Sequence, residues 1–127
     1  MQYLPVLGRV LFALPFIMFG FGHLTGAADM AGMVPSFLPM PVIIVYATGL
    51  LLVVGGLALA AGFRTKQAAL ALAVFVLLTA VLVHLPNAGA DMGSFSNLMK
   101  DLGLGGALLM ISHFGAGSMS MDNKAAA

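Results

Sequence analysis

The sequence predicts an all-α fold, a four-transmembrane-helix bundle running up-down-up-down with a short apolar outer loop as its cap. Three observations carry this expectation. Of the 127 residues, 61% are hydrophobic and only 7% are charged, whereas a soluble domain carries about 25% charged residues. Mean hydropathy is +1.10. The apolar residues also gather into four long runs, broken by Pro, Gly and polar residues. A short soluble chain must cover its core with polar side chains, and this one has too few. In lipid the outward face is itself apolar, so the shortage is no defect. The chain has the length of one small domain.

A helix needs about 20 residues to cross roughly 30 Å of hydrocarbon. The runs from about Pro5 to Leu24, Pro41 to Gly62, Lys66 to Leu85 and Asn97 to Gly115 each supply that length. Helices are the expected form, because every backbone group must be satisfied within its own segment and four strands cannot close a barrel. The first run has its only Arg inside the apolar stretch and no convincing small-residue cleavage site, so it reads as a retained helix. The transmembrane domain thus covers residues 1–116, and the small, polar residues 117–127 read as a flexible tail.

The connections differ in character. Phe63-Arg64-Thr65-Lys66 is a tight turn behind Gly62, a residue suited to a helix C-terminus. The first outer loop, from about Thr25 to Met40, mixes Pro35 and Pro39 with Met and Phe and is expected to lie as an apolar cap at the interface. The second, PNAGADMGSFS, reads as a turn leading into a helix with Ser94 or Ser96 as its N-cap. Small residues four apart (Gly56 and Ala60, Ala69 and Ala73, Gly103 and Ala107) and Gly49 seven before Gly56 mark expected helix contacts. With four spans, Arg9, Arg64, Lys66 and Lys124 fall on the side of the termini and Lys100 on the other, which places both termini in the cytoplasm.

Composition excludes several functions. There is no Cys, hence no disulfide, thiolate ligand or dithiol chemistry. A net charge of +1 without a basic patch argues against nucleic acid. The ten Met are dispersed and fit flexible packing better than soft-metal capture. No HxxxH or HExxH spacing marks a metal site, and no nucleophile–base pair, paired-carboxylate site, phosphate loop or haem pattern marks a catalytic one.

Ionisable residues in membrane spans are costly and are candidates for function. Arg9, Phe16 and His23 recur at seven-residue spacing on one face of the first helix. Arg9 reads either as an anchor to lipid phosphate or as a partner inside the bundle, where Asp122 is the one acid on its side. At the outer end, His23 closes the first helix and His84 the third, while Asn97, Lys100 and Asp101 share one face at the start of the fourth. An ammonium at a helix N-terminus is disfavoured by the dipole, so Lys100 needs a carboxylate (Asp29, Asp91 or Asp101) or an anionic ligand. If these helix ends converge, His23, His84, Asn97, Lys100 and Asp101 surround one pocket able to hydrogen-bond a quinone head group or relay a proton. Otherwise they are interfacial residues at wet helix ends.

Three stretches resemble the DoxX family of small bacterial membrane proteins: LGRVLFALPFIMFGFGHL, GLLLVVGGLALAAGFRTKQAA and FSNLMKDLGLGGALL. Together they span about Leu7 to Ile111. The matching positions are Arg9, Gly20, His23, Gly55, Gly56, Gly62, Lys100, Asp101 and Gly106, and the resemblance implies packing roles for the glycines. Family members are four-helix membrane proteins associated with quinol oxidation or oxidative-stress complexes. The resemblance therefore implies a membrane subunit or accessory factor of a quinone-linked oxidoreductase in the bacterial inner membrane. The resemblance further implies no intrinsic cofactor beyond a bound quinone, with lipid, redox subunits or further copies of the chain as the expected partners. Many relatives carry a Glu midway along the second helix where this sequence has Leu52, so a proton or ligand role resting on that carboxylate does not carry over. With no catalytic constellation, a redox link would make the chain a non-catalytic or quinone-binding subunit. The alternative is a non-enzymatic membrane module that binds a lipid-like ligand or stabilises another complex. A transporter ranks below both, since the centres of the spans are almost free of polar groups.

Overall fold

In a computed structural model, which describes residues 1–126, every regular element is helical. Helix α1 spans Leu4–Thr25; a single turn, α2, spans Ala27–Met30 and runs into a 3-10 turn at Ala31–Met33. Helix α3 spans Pro41–Ala61. Helix α4 runs over Thr65–Asn87, with a π-helical stretch at Ala80–His84. Helix α5 spans Met92–Phe114, and a last short helix, α6, spans Met121–Ala126. Three of these, α1, α3 and α4, are long and apolar enough to cross a membrane. Helix α5 is as long, with 23 residues, but carries Asn97, Lys100 and Asp101 in its first half.

The long helices pack as two hairpin-like pairs, α1 along α3 and α4 along α5, with a lighter contact between α3 and α4. Apolar residues do not drive helices together when lipid is equally apolar, so close backbone approach must supply dispersion contacts. Glycine makes that approach: a Cβ on Gly20 would stand 2.8 Å from the Gly49 carbonyl oxygen, and one on Gly56 2.7 Å from Ile17 Cγ1. Between α4 and α5 the seam residue is Gly105, where a Cβ would meet Leu77 Cδ2 at 2.5 Å. Gly103 and Gly106, expected at helix contacts, face open space instead. Each residue along a helix turns the side chain about 100°, so Gly103, two before, and Gly106, one after, both point away when Gly105 points in. Gly55 does pack, against Leu72. The common core joins Ala13, Phe16, Leu52, Leu59, Leu72, Val76 and Leu108. Large apolar side chains such as Leu11, Met18, Leu50, Leu57, Leu78 and Met110 cover the outside, as a lipid-facing surface requires.

Two boundaries depart from expectation for identifiable reasons. Helix α5 begins at Met92 and its N-cap is Asp91, neither Ser94 nor Ser96; Asp91 Oδ1 accepts from the Ser94 backbone N–H at 2.7 Å. Those N–H and hydroxyl bonds from Ser94 hold the Asp91 carboxyl below its ordinary value. Helix α4 does not stop before Pro86. A proline cannot donate to the carbonyl four residues back and its ring crowds that carbonyl, so the helix widens into the π stretch at Ala80–His84 and continues to Asn87.

The segment read as a flexible tail is docked (Ala127, its last residue, lies outside the described residues). Arg9, 9% exposed, donates from Nη1 to the carbonyls of Ala116 at 2.6 Å and Ser118 at 3.1 Å, and from Nη2 to Met119 at 3.0 Å. It is thus a staple between α1 and the C-terminal segment. Asp122 follows: its carboxylate accepts the backbone N–H of Arg64 at 2.7 Å and of Thr65 at 2.9 Å, capping α4 from outside its own sequence. The N–H of Thr65, foremost, together with that of Arg64 and the charge of Arg9, lowers the Asp122 carboxyl from its ordinary value. Gly62, with φ +68°, makes the left-handed turn after α3, and Ser120 packs so closely there that no Cβ would fit. The N-terminus, the α3–α4 turn and the C-terminal segment therefore meet at one end of the helices.

Candidate functional site

The opposite end is open. All five residues marked out at the outer helix ends, His23, His84, Asn97, Lys100 and Asp101, line one cavity of about 290 Å³. Helix α1 brings His23 and α4 brings His84, while α5 places Asn97, Lys100 and Asp101 on a single face. The π stretch directly precedes α4's last turn, so the register of His84 follows from the widened helix that Pro86 imposes.

The polar groups are ordered by one another. Asp101 is buried, and its Oδ2 lies 2.7 Å from His84 Nδ1 while its Oδ1 lies 3.6 Å from Lys100 Nζ. Of the three acids considered as partners for Lys100, Asp101 is the one that fills the role, Asp91 being committed to the α5 N-cap. Lys100 Nζ also donates to Asn97 Oδ1 at 3.3 Å and stands 5.0 Å from the centre of the Phe19 ring. The ammonium is thereby held by a carboxylate, an amide oxygen and an aromatic face.

The two imidazoles are fixed by their Nδ1 atoms. His23 Nδ1 lies 2.7 Å from the Phe19 carbonyl, which can only accept, so Nδ1 carries the hydrogen. His84 Nδ1 likewise donates to the carboxylate of Asp101. In both rings Nε2 is the nitrogen left over, and among the described residues no protein group bonds it. The His23 ring meets the edge of Phe75, with centroids 6.3 Å apart.

Two further spaces adjoin. An apolar slot of about 210 Å³ shares His23, Met30, Met33, Phe75 and Thr79 with the polar cavity and continues along Val34, Leu38, Val45 and Leu78. Its hydroxyls are already used within their own helices: Thr48 donates to Ile44 and Thr79 to Phe75, each at 2.9 Å. On the other side, a polar recess of about 470 Å³ shares Met33, His84 and Asn97 with the cavity and reaches Ser36, Asn87 and Ser94. The loop expected as an apolar cap contributes Met30, Met33, Val34 and Leu38 to these walls.

Sequence reasoning named the polar residues but missed Phe19, Phe75 and Thr79. Phe19 was within reach, since it lies four before His23 and so shares its helix face. Leu52, which stands where many relatives have Glu, lines the same cavity and is 2% exposed. Among the described residues no three His, Cys, Asp or Glu side chains come together as a metal site.

Comparison with known proteins agrees with the resemblance. The DoxX family model matches residues 4–85, from the start of α1 to the last turn of α4. The inner membrane protein YqjF of Escherichia coli (strain K12) is 37% identical over 122 residues, covering 92% of this chain and 88% of YqjF. No solved structure matches. With three helices long and apolar enough to span a bilayer, this is a bacterial membrane protein, and it belongs to the DoxX family.

Proposed function

We propose that the chain is a membrane subunit or accessory factor of a quinone-linked oxidoreductase or oxidative-stress complex, and that it binds a quinone-type ring at the open end. The observation that carries this reading is the junction of the ordered polar cavity with the apolar slot, which meet at His23, Phe75 and Thr79. A quinone-type molecule has the same two-part chemistry: a ring with oxygens at opposite positions and an apolar tail. The ring belongs among His23, His84, Asn97, Lys100 and Asp101, and the tail along Met30, Leu38 and Val45. With no Cys and no haem-ligand pattern in the sequence, this reading assigns the redox centre to a partner.

In this reading α5 is a fourth span. It packs along α4, and Asn97, Lys100 and Asp101 all line the cavity, Asp101 buried and the other two exposed at its mouth. The protein then resides in the inner membrane, as the name of its relative YqjF says of that protein. Arg9, Arg64, Lys66 and Lys124 belong to the closed end, which puts both termini in the cytoplasm and opens the cavity outward.

Titration of the purified full chain with decylubiquinone and decylubiquinol tests the reading. The wild type is expected to bind at least one of them, and Lys100→Met or His84→Phe to weaken that binding without unfolding the helices. Unchanged binding in both variants contradicts the reading. A lipid in the cavity in place of a quinone would instead make the chain a non-redox membrane module, a reading favoured by the apolar slot alone.

A further inference from the structure

We propose that the apolar slot is a side entrance from the bilayer. The ligand's alkyl tail enters between α3 and α4, beneath the loop that joins α1 to α3, and lodges there with the ring in the polar cavity. This route rests on the quinone-type reading above and makes the tail, not the ring alone, what the site selects.

The seams between the long helices differ. The α1–α3 seam is closed by Gly20 and Gly56, and the α4–α5 seam by Gly105 against Leu77. The α3–α4 seam closes only toward the closed end, where a Cβ on Gly55 would stand 3.0 Å from Leu72. Thr48 lies seven residues, about 10 Å, nearer the open end. There the slot separates the two helices, with Val45 and Thr48 of α3 on one side and Leu78 and Leu82 of α4 on the other. Leu82 and Val83 belong to the π stretch, so the widened part of α4 is the part that borders the slot.

The remaining walls leave one direction for entry. His23, Phe75 and Thr79 join the slot to the polar cavity, and Val34, Pro35 and Leu38 cover it from the loop. The other side lies at the helix surface, where Leu78 is 53% exposed and Leu82 39%. Leu78 sits nine residues before the end of α4 at Asn87, about 13 Å along the helix. Against roughly 30 Å of hydrocarbon, that depth falls inside the apolar layer. The opening therefore meets acyl chains and not water.

The lining suits a tail. Val45, Leu78 and Leu82 are aliphatic, and Met33 is flexible enough to follow a guest's shape. The hydroxyls of Thr48 and Thr79 donate to carbonyls of their own helices. Because lipid is as apolar as the slot, a tail passes from one to the other without meeting water, and fit decides whether it stays.

The test compares two probes on the purified full chain in lipid nanodiscs: decylubiquinone, and 2,3-dimethoxy-5-methyl-1,4-benzoquinone, the same ring without its tail. Each is titrated against wild type, against Leu78→Trp, which fills the opening, and against Leu70→Trp, an exposed position of the same helix away from the slot. Taking the ratio of variant to wild type for each probe removes their unequal partition into lipid. Leu78→Trp is expected to weaken decylubiquinone about tenfold, the size of one overpacked contact, and to leave the tailless ring unchanged. Leu70→Trp should change neither. Thermal unfolding checks each variant, and Val45→Phe, which fills the slot from α3, carries the same expectation should Leu78→Trp not fold. A tailless ring that does not bind measurably supports selection for the tail, and the contrast between the two Trp variants then decides the entrance. Leu78→Trp that weakens both probes alike, or neither, overturns the entrance and leaves the quinone-type reading standing. Failure of both probes to bind the wild type overturns that reading and the entrance with it.

Discussion

The two ends of the helices use the same kinds of residue for opposite purposes. At the closed end, Arg9 donates to three backbone carbonyls and Asp122 accepts from two backbone N–H groups, with Arg9 Nε and the Thr65 hydroxyl buried without a partner among the described residues. Arg9 spends both terminal nitrogens on the C-terminal segment, and Asp122 spends both oxygens on the start of α4. At the open end, Asp101, His84, Lys100 and Asn97 also bind one another, yet among the described residues two imidazole nitrogens are left without a protein partner beside a cavity. Buried polar groups are costly unless paired. A network packed away with no cavity beside it serves stability, and one that leaves acceptors beside a cavity has room for a ligand. The expected effects of substitution separate accordingly.

The largest stability effect belongs to the closed end. Arg9→Met removes the donors of three carbonyls, so unfolding in detergent should become easier by about 3 kcal/mol, in the range for hydrogen bonds from a charged buried group. An unchanged unfolding midpoint would mean that Arg9 merely snorkels to lipid. Next comes the α1–α3 seam. Gly20→Ala forces a Cβ against the Gly49 carbonyl and should cost about 2 kcal/mol. Gly106→Ala, facing open space, should stay within about 0.5 kcal/mol. Equal effects from these two would contradict the assigned seam.

Smaller again is Asp122→Asn, about 1 kcal/mol in line with other helix caps, and this effect depends on pH. The folded state depresses the Asp122 carboxyl, so its contribution is complete above the ordinary carboxylate pKa, about 4, and is lost as pH falls through the lower folded value. Unfolding midpoints of wild type and Asp122→Asn should therefore converge in strong acid. A gap that persists there would assign the role to the side chain's shape and not its charge. The smallest stability effect is expected at the open end, where His23→Phe should change unfolding by under about 0.5 kcal/mol and alter ligand binding instead.

Much of this was legible in the sequence, for physical reasons that also mark its limits. Hydrophobic run length alone places the apolar helices, and helix periodicity alone puts Asn97, Lys100 and Asp101 on one face. Whether the helix ends carrying His23 and His84 converge with that face is a tertiary question, and the structure answers that they do. The π stretch at Ala80–His84 was hidden because Pro86 reads equally well as a stop or as a cause of local widening. The seam falling on Gly105, flanked by Gly103 and Gly106, is a matter of helix rotation that spacing rules leave open. The docked C-terminal segment was hardest to foresee. Its small, polar residues carry no periodic signal, and their hold comes from Arg9 and the α4 N-terminus, far away in sequence.

The most direct test of the central claim is purification in a mild detergent followed by mass spectrometry of all small molecules that accompany the chain. The account predicts a quinone or hydroquinone near one per chain in the wild type, and its loss in His84→Phe and Lys100→Met. Phospholipid alone, in equal amount in wild type and variants, would contradict the assignment of the open-end cavity to a quinone-type ring.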